Sequence, residues 1–529
     1  MRYLHICPPW YIYHGENNLR QPNVPLGAAY CARAALQVGW SAVIWNGDCL
    51  PEGGENQYSE EMVSYSGYLV NHSRRDNPVW DELRRVLQEV KPHVVGITCL
   101  VASYPSALHV AAVVKEELPT CKTVIGGPHP NALPAEVAQM PNVDAVVFGE
   151  GERTLMELLD AWRVGVPIVG MPGVATQVDG QVIQGPAREF VQNLDELGWP
   201  AKGTIYDHHG LLSRDNFGLV MWSRGCPYDC EFCASPALWT KRMRWRSAAD
   251  MAAEMVAIHK EYDTRYFSFE DDTFSVNRAR TMQLVEEVIK TGLPTVPGFR
   301  WTCNTRPDRV DEELLAKMKA AGCAAVAIGI ESGNPRMLKK MKKAFTVEQV
   351  RSSIKMIKDL GMISSGQFLI GSPTETEEEM WDTVRLADEL ECESVMLSVA
   401  TPLPATALYD EAVALGLIPK EGIDWAIVTT KNDGMLMTIE KDGQHVPMPL
   451  EERQRIVVEM HAAFDAIQNK TLNAKNESRR WYEAQYLPES DTAPIYGLRK
   501  TLADSPEYQK VLNAQKRKQK RELTVLPVG

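Results

Sequence analysis

The sequence predicts an α/β protein that consists of two parallel-sheet units followed by a mainly helical C-terminal region. Short apolar strand patterns alternate with helical patterns from residue 3 to residue 164, and the alternation resumes from residue 217 to residue 399. Such alternation is typical of parallel sheets that are covered by helices. The first run predicts an open, doubly wound sheet, and the second predicts a partial (β/α)6 barrel. We therefore expect three parts, at residues 1–200, 201–410 and 411–529.

The N-terminal part reads as five strands and four helices, followed by a β-hairpin around Asp179-Gly180 and a linker that contains Pro200. Doubly wound sheets bind ligands outside the C-terminal ends of their strands. The loop after the fourth strand begins with Gly126-Gly127, which lets a ligand approach the backbone closely but also fits a plain turn. The expected strands are 3–7, 41–45, 93–100, 122–125 and 145–148, and the expected helices are 25–38, 79–90, 105–118 and 154–164.

The central part carries a polar cluster after nearly every strand of the expected barrel. Barrel enzymes place their chemistry at the C-terminal ends of the strands, which share one face. A single polar strand end is usually just solvated, but five in succession favour a functional site. These ends are Glu270-Asp271-Asp272, Asn304-Thr305-Arg306, Glu331-Ser332-Gly333, Gly371-Ser372-Pro373 and Pro402-Leu403-Pro404. The expected strands are 217–222, 266–269, 300–304, 324–330, 367–370 and 394–399, and the expected helices are 278–290, 311–321, 347–360 and 377–390.

Three cysteines stand at C-x3-C-x2-C spacing directly after the first strand of the central part. They are Cys226, Cys230 and Cys233. Thiolates are soft ligands, and iron–sulfur clusters are usually held by cysteine. This spacing offers three thiolates to a four-iron cluster and leaves one iron open. A zinc site is a weaker alternative, because no fourth Cys or His follows at the usual spacing. A redox CxxC pair or a disulfide also stays open, although the sequence shows neither a thioredoxin-like context nor a secretory signal.

The overall composition limits the classes of partner and the location. The 529 residues carry 56 Lys and Arg against 69 Asp and Glu, and this net charge of −13 argues against a general nucleic-acid-binding protein. The N-terminus shows no signal sequence. The uncharged stretch 93–114 contains Pro105 and polar residues, so it reads as strand, turn and helix rather than as a membrane span. The other cysteines are scattered, which fits a reducing cytoplasm. We expect a cytoplasmic protein.

The cysteine stretch resembles the motif of the radical S-adenosylmethionine (SAM) superfamily, CxxxCxΦC, in which Φ is aromatic and is Phe232 here. The later strand ends resemble the DDxF, GxES, GxPxET and PxPGT motifs of the superfamily, with Ala405 in place of the last glycine. The resemblance implies that the three cysteines bind a 4Fe–4S cluster and that SAM binds its open iron. One electron then cleaves SAM to methionine and a 5′-deoxyadenosyl radical. The matching residues are Asp271, Asp272, Phe274, Gly329, Glu331, Ser332, Gly371, Pro373, Glu375, Thr376, Pro402, Pro404 and Thr406.

The same resemblance implies the cofactor contacts and a partner. Phe232 is implied to lie near the adenine of SAM, and Glu331 is implied to hold the ribose hydroxyls. The segment Glu270-Asp271-Asp272 is implied to meet the methionyl amino group. An external electron donor of the flavodoxin or ferredoxin kind is implied as the source of the electron. Further expected contacts with SAM or substrate are Arg306, Ser332 and Gln367.

The N-terminal part resembles the cobalamin-binding domain that precedes many radical SAM barrels. The resemblance implies that the nucleotide tail of cobalamin runs beside four residues of the loops after two strands, and that a fifth residue adds a further contact. The matching segments are Pro25-Leu26-Gly27, Thr98-Cys99-Leu100, Gly126-Gly127-Pro128-His129 and Gly149-Glu150-Gly151-Glu152. The expected contacts are Thr98, Leu100, Gly126, Gly127 and Glu150.

One departure from the cobalamin carriers concerns the cobalt. Carriers with a DxHxxG motif use its histidine as a cobalt ligand, whereas here His14 has Ile12 two residues before it and no glycine three after. Radical SAM relatives commonly lack the motif too, so we expect cobalamin to bind without a cobalt–histidine bond. His14 and its neighbours either cap the lower face of the corrin or are ordinary loop aromatics. These neighbours are Trp10, Tyr11 and Tyr13.

The C-terminal part breaks the alternation and predicts a long amphipathic helix at 451–469. Relatives close the substrate pocket with this region. Its aromatic residues either line that pocket or, more simply, pack in the core. The basic run 516–521 reads as a solvated tail or helix end. The aromatic residues are Trp425, Trp481, Tyr482 and Tyr486.

These features together predict a cobalamin-dependent radical SAM enzyme. We expect it to transfer a methyl group from SAM, through methylcobalamin, to an unactivated carbon of a small molecule. The alternative within the family is a non-methylating enzyme that uses the radical for oxidation, cyclisation or ring contraction. The alternative outside it is a structural metal module built on the three cysteines, and the succession of polar strand ends argues against that module.

Overall fold

The structure, a computed structural model, contains two parallel β-sheets that are each covered by helices. It describes residues 1–9, 24–47, 75, 78–207, 210, 212–428 and 432–474. The expected α/β class, with an open sheet before a six-stranded partial barrel, is confirmed. Within the described ranges, no helix combines the length and the apolar composition that a membrane crossing requires.

The N-terminal domain is built on a seven-stranded sheet. Its strands are β1 (Arg2–Cys7), β2 (Ser41–Asn46), β3 (Val94–Thr98), β4 (Lys122–Gly126), β5 (Ala145–Val147), β6 (Val174–Val178) and β7 (Gln181–Gln184). They lie in the order β2-β1-β3-β4-β5-β6-β7. The first five run parallel, and β6 and β7 form the expected antiparallel hairpin. The chain reverses its direction across the sheet between β2 and β3, so the loops after β1 and β3 meet at the point where doubly wound folds bind ligands.

All four expected helices cover this sheet, and two short ones were not expected from the sequence. The short helices, Pro128–Ala132 and Pro134–Ala138, each begin with a proline, which suits the first turn of a helix. Five residues are too few to show a helical period, which explains why the sequence did not indicate them. The long helices are Leu26–Gln37, Pro78–Val90, Tyr104–Glu117 and Gly151–Val164.

The central part forms a second sheet of six parallel strands. Including a separate two-stranded ribbon, the strands of the central part are β8 (Leu219–Val220), β9 (Ser223–Arg224), β10 (Arg244–Trp245), β11 (Tyr266–Phe269), β12 (Arg300–Thr305), β13 (Cys323–Glu331), β14 (Ile363–Ile370) and β15 (Ser394–Val399). The order is β8-β11-β12-β13-β14-β15, while β9 and β10 pair separately as an antiparallel ribbon. Strand β14 begins four residues before the expected 367, because its first half is small and polar and lacks a strand pattern.

Side chains alternate between the two faces of the barrel strands. Phe267 and Phe269 of β11 are buried in the apolar core beneath the helices. Their neighbour Ser268 lies on the opposite face and contacts Thr302 of β12 at 3.5 Å. The barrel interior is therefore polar where the outer layer is apolar. The helices of this part are Ser235–Trp239, Ala248–Tyr262, Arg278–Lys290, Glu312–Ala320, Pro335–Lys340, Val347–Asp359 and Glu377–Leu390.

The C-terminal segment packs on both units. Its long helix, Leu450–Ala474, confirms the expected helix and contacts the barrel helix Glu377–Leu390. Trp425 is buried in the core of the N-terminal domain, and its indole nitrogen donates to Glu136 at 2.6 Å, so its role here is core packing. The remaining elements are Ala407–Ala414, β16 (Thr438–Lys441) and β17 (Gln444–Pro447). Trp10, Tyr11, Tyr13, His14, Trp481, Tyr482, Tyr486 and the run 516–521 lie outside the described residues.

Arg224 joins the two units through buried ion pairs. It lies on β9, two residues before Cys226, and its side chain is 2% exposed. Its guanidinium donates to Glu150 at 2.8 Å and to Glu152 at 2.5 Å. Arg244 of β10 donates to the same oxygen of Glu150 at 2.7 Å. Because both carboxylates directly follow β5, these pairs fix the cysteine stretch against the N-terminal domain.

Replacing Glu150 with Ala should lower the free energy of unfolding by about 3–5 kcal/mol, because it leaves two buried guanidinium groups without that carboxylate. Urea unfolding followed by near-ultraviolet circular dichroism measures the loss. The control is Glu157→Ala, which removes the carboxylate that pairs with Arg188. The Glu157 side chain is 53% exposed, so this change should lower the free energy of unfolding by at most about 1 kcal/mol. Equal losses in the two variants would show that the buried pairs do not stabilise the junction.

Candidate functional site

The cysteine loop leaves a short antiparallel ribbon that holds it rigidly. Residues Ser223 and Arg224 of β9 pair with β10, and Gly225 follows with a φ of 101°, in the region that favours glycine. A Cβ at Gly225 would lie 2.5 Å from the carbonyl oxygen of Arg242, so no side chain fits there. The loop therefore starts from a fixed backbone.

Asp271 fastens the start of this loop to the next barrel strand. Its carboxylate accepts hydrogen bonds from the backbone of Trp222 at 3.2 Å and of Ser223 at 2.5 Å, and also from the Ser223 hydroxyl. Burial raises the pKa of Asp271 to about 7, although these hydrogen bonds act in the opposite direction. The sequence assigned Asp271 to the SAM amino group, whereas the structure commits both of its oxygens to the backbone and hydroxyl beneath the cysteines.

The three thiols are half-buried and make few contacts. The Sγ of Cys226 lies 3.7 Å from the hydroxyl of Thr273, and the Sγ of Cys233 accepts from the Ser235 amide at 3.4 Å. The Ser235 hydroxyl also donates to Asp272 at 2.5 Å. Burial raises the pKa of the Cys233 thiol to about 11. Such thiols ionise readily only when a metal binds them, which suits ligands rather than a free nucleophile.

The spacing of acidic, histidine and cysteine side chains differs from that of a site for one ion. In the part of the chain that the structure describes, no three such side chains converge closely enough to hold a single metal ion. A zinc ion draws its thiolates to about 2.3 Å from one centre. A four-iron cluster makes a different demand, since each thiolate binds a different iron. Cys226, Cys230 and Cys233 supply from one loop the soft donors that such a cluster requires.

Glu331 and Phe232 meet beside the cysteine loop, and Lys343 joins them. Glu331 ends β13 with a φ of 68°, a left-handed conformation that is uncommon for a side chain other than glycine. Its carboxylate accepts from the Lys343 ammonium at 2.7 Å, and that ammonium lies 5.2 Å from the centroid of the Phe232 ring. Burial alone would lower the pKa of Lys343, but the charges of Glu331 and Cys230 raise it. An aromatic face, a carboxylate and a cation thus border the thiols.

Arg306 packs against the cysteine loop itself. Its guanidinium carbon lies 3.7 Å from the centroid of the Tyr228 ring, between the first two cysteines. It also donates to Asp308 at 2.9 Å and to the carbonyl oxygen of Lys343 at 2.5 Å. The sequence predicted Arg306 as a contact with SAM or substrate, and the structure places it where it holds the loop and the segment of Lys343 together.

The other predicted SAM contacts differ in where they point. Gln367 lies in the barrel interior and donates to Asn304 at 3.3 Å. The Glu270 side chain reaches solvent, but the protein around it still removes part of its hydration and raises its pKa. This combination is expected for a side chain that lines a concave interior. Ser332 instead lies buried beneath the outer helices, with its hydroxyl 3.2 Å from that of Thr383. The barrel interior therefore receives Glu270 and Gln367, while Ser332 packs outside it.

The predicted cobalamin contacts of β3 and β4 meet at one edge of the N-terminal sheet. The hydroxyl of Thr98 lies 2.8 Å from the Nε2 of His5, and Leu100 is exposed. Gly127 has a φ of 114°, and a Cβ there would lie 2.8 Å from the carbonyl oxygen of Cys99. A Cβ at Gly126 would meet nothing closer than 3.8 Å, an ordinary van der Waals distance, so the crowding is confined to Gly127. These features suit a ligand that runs along the strand ends.

His129, which follows the glycine pair, is buried without satisfying its polar atoms. Its ring lies 4.5 Å from that of Tyr104 and 4.9 Å from that of Trp425, measured between centroids. Neither ring nitrogen has a hydrogen-bond partner among the described residues. Burial lowers the pKa of His129 to about 4, so the ring is neutral. The N–H donor and the acceptor nitrogen of this neutral ring are thus both unpaired among these residues, which fits a site that a polar ligand completes.

The sequence did not identify Lys343 as part of the site, and it did not indicate the ion pairs of Glu150. Lys343 ends a run of lysines that reads as a solvated charge cluster, and no sequence signal marks it as buried. Glu150 was expected to touch cobalamin, but one oxygen binds Arg224 and Arg244, and the other accepts from the Val191 amide at 2.6 Å. Sequence reasoning missed the pairing because the partners lie far apart in the chain.

Comparison with known proteins supports both halves of this site. The model of the B12 binding domain matches residues 17–159, and the model of the radical SAM superfamily matches residues 220–387. An uncharacterized methyltransferase of Pyrococcus horikoshii is 34% identical over 359 residues, which cover 66% of this chain and 75% of that protein. The anaerobic magnesium-protoporphyrin IX monomethyl ester cyclase of Rubrivivax gelatinosus is 28% identical over 340 residues, which cover 63% of this chain and 60% of that enzyme.

A solved structure shows the same fold over most of the chain. The radical SAM methyltransferase TsrM from Kitasatospora setae, with cobalamin and a 4Fe–4S cluster bound, superposes with a TM-score of 0.64 at 18% identity. The match covers 88% of this chain and 89% of that one. The order of the domains, the cysteine motif and the similarity to the Pyrococcus protein agree. The chain belongs to the radical SAM enzymes that carry an N-terminal cobalamin-binding domain.

Proposed function

We propose that this protein is a cobalamin-dependent radical SAM methyltransferase that acts on an unactivated carbon of a small molecule. The observation that carries the proposal is the direct junction of the two cofactor regions. Arg224, two residues before Cys226, binds Glu150 and Glu152 of the cobalamin-binding domain. Asn131 of that domain donates to the carbonyl oxygen of Ala237, just after the cysteines. Both domains place their ligands at strand C-terminal ends, so one cavity serves both.

The residues of this chain divide the work of holding the cofactors. We assign the cluster to the three thiolates of Cys226, Cys230 and Cys233, and its open iron to SAM. When bound, these groups supply an oxidising carbon radical and, with cobalamin, a methyl group that is handed to the substrate. We assign Glu331 to the ribose hydroxyls of SAM, as a hydrogen-bond acceptor, and Phe232 to its adenine.

Other residues are assigned to orientation and to the second cofactor. Glu270 and Asp272 are the acidic groups available to the amino group of SAM, whereas Asp271 positions the cysteine loop. Arg306 and Gln367 border the same cavity, and Ser332 supports it from outside the barrel. For the cobalamin tail we assign the edge formed by Thr98, Leu100, Gly126 and Gly127, with Glu150 aligning the two domains.

We assign the cobalamin-binding domain and its linker to residues 1–200, the barrel to 201–410 and the closing region to 411–529. The substrate enters a barrel interior that carries hydroxyl and amide groups, including Ser268, Thr302 and Asn304. The proposed electron source is an external flavodoxin- or ferredoxin-like protein, and the proposed location is the cytoplasm. The net charge of −13 is the reason to expect no nucleic-acid partner.

A second candidate function is favoured by one comparison. The similarity to the Rubrivivax cyclase admits a non-methylating reaction such as oxidation, cyclisation or ring contraction. The residues described above serve that reaction equally well, because both outcomes begin with a carbon radical. What separates them is the fate of the methyl group of SAM.

The first test concerns the cluster. Replacing Cys226, Cys230 and Cys233 together with Ala should abolish both the iron–sulfur absorbance and the cleavage of SAM, because no other thiol lies in this loop. Anaerobic reconstitution followed by iron and sulfide analysis measures the content. The control is Cys31→Ala in helix Leu26–Gln37, which should leave the cluster intact. A triple variant that still binds four irons would refute the assignment.

The second test concerns Glu331. The Glu331→Gln variant should raise the Kd for SAM about ten- to a hundredfold, because hydrogen bonds to a charged group contribute about 1.5–3 kcal/mol. Glutamine is chosen so that Lys343 keeps a polar neighbour. Equilibrium dialysis with labelled SAM measures the Kd, and iron analysis should show unchanged cluster content. The exposed Glu348 supplies the control, Glu348→Gln, and equal affinities in both variants would remove Glu331 from the site.

The third test separates the two candidate functions. With its substrate and a reductant, a methyltransferase of this kind should form S-adenosylhomocysteine and 5′-deoxyadenosine in about equal amounts, because one SAM gives the methyl group and another gives the radical. SAM labelled in its methyl group should pass the label to the product. Chromatography with mass spectrometry measures all three. If 5′-deoxyadenosine forms without S-adenosylhomocysteine, the non-methylating alternative replaces the methyltransferase.

A further inference from the structure

The cysteine loop reaches the protein surface between its first two cysteines. Pro227 and Asp229 are exposed there, and the half-buried thiols of Cys226 and Cys230 flank them. Electron transfer between proteins becomes steeply slower with distance. An electron that arrives from outside therefore has a short route to the thiols across this stretch of the loop.

The exposed side chains around this stretch are basic, although the whole chain is acidic. Lys241 lies 2.9 Å and Lys342 lies 3.9 Å from the carboxylate of Asp229. Arg242 is exposed and packs its backbone against Gly225. Arg309 is exposed and lies 5.6 Å from the centroid of the Tyr228 ring. We name Lys241, Arg242, Arg309 and Lys342 the basic rim.

The charge of the basic rim exceeds that of the exposed carboxylate it surrounds. Asp229 offsets one positive charge of the four. The nearby Asp308 is mostly buried and is divided between the buried Arg306, at 2.9 Å, and the rim residue Arg309, at 3.4 Å, so it offsets only part of a second charge. The loop carboxylate of Glu231 is buried and lies 3.5 Å from Lys340. The outside of the cysteine loop is thus locally positive in a chain whose net charge is −13.

We propose that the basic rim is the docking surface for an acidic one-electron carrier protein, of the flavodoxin or ferredoxin kind. The proposal rests on the proposed function, because a radical SAM site needs one electron for each SAM that it cleaves. The carrier is oxidised by one electron and the cluster is reduced by one, and no atom moves. A net negative chain repels an acidic carrier elsewhere, so a local positive surface orients it toward the loop.

The test compares two sets of three charge reversals. The rim variant carries Lys241→Glu, Arg242→Glu and Lys342→Glu, none of which alters a residue assigned to a cofactor. The control variant carries Lys290→Glu, Lys355→Glu and Lys470→Glu, on exposed helix faces. Like Lys241, these control lysines each have an acidic partner, at 2.7, 2.5 and 2.8 Å. Both variants undergo the same change in net charge.

SAM cleavage is measured at low salt with reduced flavodoxin, with reduced ferredoxin and with dithionite as separate electron donors. The rim variant should be roughly tenfold slower or more with at least one protein donor, because steering changes association rates by that order. It should equal the unmodified protein with dithionite. The control variant should retain its rate with all three, and the rate of the unmodified protein with its carrier should fall as salt increases.

Several outcomes would overturn the proposal. They are unchanged carrier-dependent rates in the rim variant, equal losses in both variants, or a carrier-dependent rate that salt does not affect. If charge reversal lowers the cluster content, the set Lys241→Gln, Arg242→Gln and Lys342→Gln takes its place and should slow the carrier-dependent rate alone. A lack of dithionite-supported SAM cleavage in the unmodified protein would instead refute the proposed function.

Discussion

The structure depends on a buried guanidinium that two domains share. Arg224 lies between the carboxylates of Glu150 and Glu152 and is flanked by the rings of Tyr30 and Trp239, at 5.2 and 5.0 Å. Burial alone would raise the pKa of Glu152, but Arg224 holds it below its ordinary value. An uncompensated charge in such a place costs several kcal/mol. Each domain therefore needs the other to neutralise this junction, and the relative placement of the two cofactor regions follows from charge.

A second set of charges organises the other side of the cysteine loop. Lys343 neutralises Glu331, and Arg306 packs on Tyr228 while it binds the carbonyl oxygen of Lys343. Asp271 sits beneath the same loop and is less readily ionised, since burial raises its pKa to about 7. The loop is thus held by the cations Arg306 and Lys343 and by the hydrogen-bond-accepting carboxyl group of Asp271, while the outer layer of the barrel stays apolar. Rigid support of this kind holds the cysteine side chains in position before a cluster binds.

Much of the fold followed from local patterns, because strands and long helices have periods that a sequence displays. The cysteine loop was identified because its spacing is itself a local pattern. The roles within Glu270-Asp271-Asp272 did not follow, since consecutive carboxylates look alike until the turn sends one toward Ser223 and another toward Ser235. The ion pair of Glu150 did not follow for a related reason, since its partner Arg224 lies 74 residues away. Helix Ala248–Tyr262 was passed over, although Ser247 caps it by accepting from Asp250.

The C-terminal segment adds a third connection between the domains. Trp425 donates to Glu136 of the N-terminal domain and covers His129, while the same segment continues into the helix that packs on the barrel. The junctions at Arg224, at Asn131 and at Trp425 all involve the loops or short helices that follow β4 or β5. Segments that directly follow a strand are held in position more firmly than a free linker is. Three junctions of this kind hold the two cofactor-binding domains in a fixed relative position, and a reaction that two cofactors share requires that of its protein.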